Sequence, residues 1–124
     1  MTQPRAYYEG RLGELQEILR WPWPCSGLNS EALALRYATF KSYREGQESN
    51  SKVFQATLDQ GTDDRIIPVL LHLATGRASA YASLCDRLLP YLEVGMTEHQ
   101  LKVLVARIEQ DINRCQLLLL GEEP

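Results

Sequence analysis

The sequence predicts an all-α protein, a compact bundle of five to six helices closed by a long C-terminal helix. Three observations carry this expectation. Apolar residues recur at spacings of three and four through most of the chain. Alternation of Val, Ile or Thr with polar residues, the mark of strands, never extends over a run. Helix start and stop signals also divide the chain repeatedly, at Trp21–Gly27, Gly46–Ser51, Gly61, Gly76 and Gly95. A chain of 124 residues with 44% hydrophobic and 23% charged residues suits one domain, residues 1–124, around one core.

The first helix is expected from Pro4 to Arg20, with Tyr8, Leu12, Leu15 and Leu19 on one face. Gly10 and Gly13 each lower its propensity by about 1 kcal/mol, so it must depend on tertiary packing. Next comes Trp21-Pro22-Trp23-Pro24. Each proline pushes the tryptophan before it toward extended geometry, which makes this segment a stiff, non-helical strut. The second helix, Ser30–Glu45, has Asn29 as N-cap and Leu28 with Leu33 as a hydrophobic staple, turning Leu33, Tyr37 and Phe40 inward. A shorter helix, Lys52–Gln60, follows with Phe54 and Leu58 and stops at Gly61.

Thr62 then reads as an N-cap, with Asp63 and Asp64 suited to the positive end of the next helix. Ile66–Leu73 is apolar on nearly every side, which predicts a central helix that begins or bends near Pro68. After Gly76 a further helix places Tyr81, Cys85, Leu88 and Leu92 on a stripe, with a break at Pro90. The last helix is the best specified. Thr97 and Gln100 match a capping box, and Met96 with Leu101 a staple across it. Leu101, Val105, Ile108, Ile112, Cys115 and Leu119 form a heptad seam, Gly121 ends the helix, and Glu122, Glu123 and Pro124 make a polar tail.

Function is much less legible. The net charge of −3 offers no general attraction to phosphate backbones or anionic lipid. The longest apolar runs, Ile66–Leu71 and Leu117–Leu120, fall far short of the ~20 residues that cross a bilayer, and no secretory signal stands at Met1–Glu9. A cytoplasmic location is the expectation. Three cysteines, Cys25, Cys85 and Cys115, read as reduced thiols in the core. His72 reads as a hydrogen-bonded core residue, and neither it nor His99 belongs to a zinc spacing. Glycines form no phosphate loop and no serine sits in GxSxG, so neither an enzyme nor any cofactor or metal site is expected.

Elimination leaves a small protein–protein interaction module: an adaptor, small chaperone, inhibitor or regulatory subunit that acts through helical surfaces. Its candidate partner-binding residues are Leu117, Leu118 and Leu120, because four consecutive leucines surround a helix and one packed face does not hide them all. A homodimer or a protein partner is the expected cover. Trp21 and Trp23 are added because rigid aromatic patches dominate many interfaces, although the simpler reading of the same indoles is a loop that folds them over the end of the bundle. The alternative is a helix-turn-helix regulator whose recognition helix starts at Thr97 and presents Glu98, His99 and Lys102. Arg36, Lys41 and Arg44, interleaved with Tyr37, Phe40 and Tyr43, would join Lys102 in meeting an anion or nucleic acid.

Overall fold

The computed structural model describes residues 2–121 and is all-helical over them, so the polar tail at Glu122–Pro124 lies outside the described residues. Four α-helices replace the five to six expected: α1 (Arg5–Arg20), α2 (Ser30–Asp59), α3 (Ile66–Leu88) and α4 (Glu98–Leu119), with a 3₁₀ turn at Leu89–Tyr91 after α3. Each of the two missing breaks was expected at a glycine. Gly46 sits within α2, and a Cβ there would meet nothing within 4 Å, so it is simply a tolerated helical glycine. Gly76 is buried within α3 where α1 crosses it. A Cβ on Gly76 would collide with the Tyr7 carbonyl, and one on Gly10 with the Leu73 carbonyl. These two glycines allow close backbone approach rather than ending a helix.

The α1 helix packs between α3 and α4, while α2 lies against α3. Leu15 and Ile18 of α1, Leu33 and Phe40 of α2, Leu84 and Leu88 of α3, and Leu101, Leu104 and Ile108 of α4 meet in one buried cluster. The expected central segment is displaced from this core. Ile66 is 50% exposed and Val69 is also exposed, while Leu70, Leu71, His72 and Leu73 are half-buried. With Val53, Phe54 and Leu58 they form the far end of the α2–α3 hairpin, which other helices cover on fewer sides. His72 is therefore not an enclosed core residue.

Helix ends follow local chemistry. Asn29 caps α2 by accepting from the Ala32 N–H at 2.8 Å, and Gly61 ends it at φ 86°. Thr62 does not cap α3. Its hydroxyl accepts from the Asp64 N–H, and the Asp64 carboxylate in turn accepts from the Ile66 N–H at 3.0 Å. The capping box at Thr97 is formed in both directions. Along α4 the buried stripe runs Leu101, Leu104, Ile108, Ile112, Cys115, Leu118, with Val105 and Leu119 half-buried beside it. Leu104/Val105 and Leu118/Leu119 are adjacent apolar pairs, so spacing alone leaves the phase of the stripe open by one residue at each place.

Two further features tie the helices together. Leu28 and Met96 form an isolated antiparallel bridge, with N–H···O distances of 2.9 and 2.7 Å. Gly27 (φ 96°) and Gly95 (φ 82°) precede them, and a Cβ on either would come 2.5 Å from the opposite carbonyl. The residue after each bridge position, Asn29 or Thr97, is a helix cap. On another face Arg11 donates to Ser79 at 3.0 Å and Ser83 at 3.1 Å. Asp111 accepts from Arg87 at 2.8 Å and lies 3.7 Å from Arg11, so α1, α3 and α4 share one charged link.

Candidate functional site

The two X-Pro bonds hold Trp21–Pro24 out of helical geometry, and the chain then anchors both indoles. Trp23 Nε1–H donates to the Ile18 carbonyl at 3.2 Å. Both rings meet the fully buried Phe40, Trp21 tilted at 4.8 Å between centroids and Trp23 stacked at 6.5 Å. Arg36 completes the assembly. Its guanidinium stands 5.7 Å from the Trp21 ring and 4.7 Å from the Trp23 ring, and Nη2 donates to the Pro22 carbonyl between them. Burial holds the Arg36 pKa below its ordinary value, and Nη1 is buried with no hydrogen-bond partner among the described residues.

The anchored strut borders two concavities. Trp23, Pro24 and Cys25 form one wall of a groove of about 240 Å³ against α4, with Leu101, Val105 and Ala106 apolar and Glu98, Lys102 and Glu109 charged around it. Trp21 borders the other, a cleft of about 470 Å³ lined also by Glu17, Tyr43, Gln47, Asn50 and Tyr81. Tyr81 donates its hydroxyl to the Glu14 carboxylate of α1. Burial first, and that bond second, hold the Tyr81 phenol far above its ordinary range.

No family model, curated protein or solved structure matches the chain.

The strut region brings Arg36 and Lys102, distant in sequence and named under the separate anion reading, to Trp21 and Trp23. The C-terminal leucines lie elsewhere. Leu118 faces the core at 7% exposure, Leu117 and Leu119 are half-buried, and Leu120 is 73% exposed. Arg5 of α1 donates to the Leu119 carbonyl at 2.8 Å, so the N-terminal helix reaches this end of α4. Among the other cations, Arg44 pairs with Glu48 at 2.7 Å and Lys102 with Glu98 at 3.1 Å, while Lys41 is exposed. Glu98 and His99 are exposed on the first turn of α4.

Cys25 is exposed, not in the core as expected, whereas Cys85 and Cys115 are buried and all three are free thiols. Burial raises the pKa of both interior thiols. Among the described residues, no group of three His, Cys, Asp or Glu side chains is placed to hold a metal ion, and no helix is long and apolar enough to cross a membrane. Sequence reading missed Arg36 as the clamp and Tyr43, Tyr81, Gln47 and Glu17 as neighbours. The proline spacing signalled a rigid strut, but no local pattern signals which distant arginine will cover it.

Proposed function

We propose that this chain is a non-enzymatic protein–protein interaction module, an adaptor or regulatory subunit, whose docking surface is the groove between the Trp23–Pro24 wall and α4. One observation carries the reading: the groove is preformed. Prolines, the Trp23 bond to Ile18 and the Arg36 clamp restrict its wall before any partner arrives, so docking there loses little conformational entropy. An apolar floor within a charged rim is the usual anatomy of such a surface. The nucleic-acid alternative draws less support, since Arg36 is held by the tryptophans and the Pro22 carbonyl and the net charge of the chain is −3. Phosphate binding relies on cations free to displace counterions.

Cys25 gives the test its handle. A photo-crosslinker attached to this exposed thiol samples the groove directly, and Ala106→Arg blocks the groove from an exposed position without touching the core. The expected result is a discrete crosslinked partner that disappears in Ala106→Arg and binds the purified wild-type chain stoichiometrically in calorimetry. Crosslinking that Ala106→Arg leaves unchanged, or no partner-dependent product, rejects the groove as the docking surface.

A further inference from the structure

The cleft beside Trp21 has a different character from the groove and shares no lining residue with it. Three aromatic rings line it, Trp21, Tyr43 and Tyr81, with Tyr43 and Tyr81 tilted against each other at 5.5 Å. The polar groups among its lining are one carboxylate, Glu17, and neutral groups including Gln47 and Asn50, with no basic side chain. Glu17 does bond Arg20 at 2.7 Å. Both side chains of that pair are more than half exposed, and such a bond contributes under about 1 kcal/mol, so Arg20 yields readily to a better-placed cation. Gln47 Oε1 is the second pointer: it is a buried acceptor with no hydrogen-bond partner among the described residues.

Aromatic faces attract a cation through their quadrupole, a carboxylate fixes its charge, and an unpaired amide oxygen asks for a donor. A guanidinium meets all three demands together, because it is planar, stacks on rings and carries five N–H donors in a rigid fork. A compact ammonium offers no such plane. From this geometry we infer that the cleft between α1, α2 and α3 is a binding site for a guanidinium group, as presented by an arginine side chain of a peptide ligand. Trp21 and the exposed Tyr43, backed by the buried Tyr81, supply ring surface, Glu17 the counter-charge, and Gln47 the acceptor once its carboxamide, whose Oε1 is otherwise closed to solvent, turns toward the ligand.

The probes are N-acetyl-arginine methylamide and its citrulline counterpart, which has the same shape and no charge, titrated into the whole chain. Two-dimensional NMR follows the Trp21 indole N–H and the Gln47 and Asn50 carboxamides. The arginine probe is expected to shift these signals saturably and to bind at least about tenfold more tightly than citrulline. Glu17→Gln, at a side chain 56% exposed, should remove that preference while leaving the fold intact. Tyr43→Ala, also at an exposed ring, should weaken both probes. Unsaturable shifts with arginine, equal affinity for the two probes, or an undiminished preference in Glu17→Gln overturns the site. None of these outcomes bears on crosslinking from Cys25, so the two proposals stand or fall separately.

Discussion

At Gly76 the α1 and α3 backbones are so close that a single methyl group has no room, and the atom in the way is a backbone carbonyl that no side-chain rotation moves aside. Gly76→Ala should therefore force the helices apart and cost about 1–3 kcal/mol or more. Gly13 lies in α1, three residues beyond Gly10, with nothing within 4 Å of its missing Cβ. Gly13→Ala should stabilise the protein by up to about 1 kcal/mol, because only helix propensity changes. Urea denaturation of the two variants separates them, and a Gly76→Ala protein as stable as the parent would refute the close crossing. The cysteines give a parallel contrast. A thiol reagent should modify Cys25 quickly in the folded protein and reach Cys85 and Cys115 only after unfolding, since both are buried and burial disfavours their thiolates. Fast reaction of three thiols under native conditions would contradict the packing.

Between residues and the whole stand the helices, and their ends were far more legible than their middles. Asn29, Gly61, Thr97 with Gln100, and Gly121 all act where local chemistry places them, because a cap is a contact between near neighbours in sequence. Gly46 and Gly76 misled for a physical reason. One sequence does not distinguish a glycine that ends a helix from one that a second backbone must approach, or from one that is merely tolerated. The strut was legible as rigid, whereas the cleft beside it is built from α1, α2 and α3 and had no local signature. Gly46→Ala tests the continuity of α2: it should raise stability by about 1 kcal/mol, where an alanine forced into a genuine turn would lower it. In α4, Leu118→Ala should cost about 2–5 kcal/mol through lost core packing. Leu120→Glu should stay within about 0.5 kcal/mol for the isolated chain. If instead Leu120→Glu lowers the mass in solution, a second copy covers that leucine.

Over the whole molecule the buried acids set the response to alkali. Tyr81, Cys85 and Cys115 each hold their proton more tightly when folded than when exposed, chiefly through burial. Their contribution is complete below the ordinary thiol value of 9.0, and it declines as the pH rises past that value and then past the ordinary phenol value of 10.0. Urea midpoints should be flat toward neutrality and fall above about pH 9, and Tyr81→Phe should flatten the steepest part of that fall. A midpoint that stays flat above about pH 9 would mean that these groups ionise as freely in the native state as in the unfolded chain, and one that rises that they ionise more readily there. The Leu28–Met96 bridge carries a consequence of another kind, in time. Its two residues lie about 70 positions apart, and joining the ends of so long a loop costs about 4 kcal/mol of chain entropy. The α2–α3 hairpin forms its contacts across a much shorter turn, so it is the part able to assemble first, with α1 folding onto α3 and α4 onto α1. The bridge is then expected to close after the rate-limiting step. A Gly95→Ala change, which strains that closure and the positive-φ turn leading into it, should accelerate unfolding more than it slows refolding, so the bridge would set how long the folded molecule lasts more than how quickly it forms.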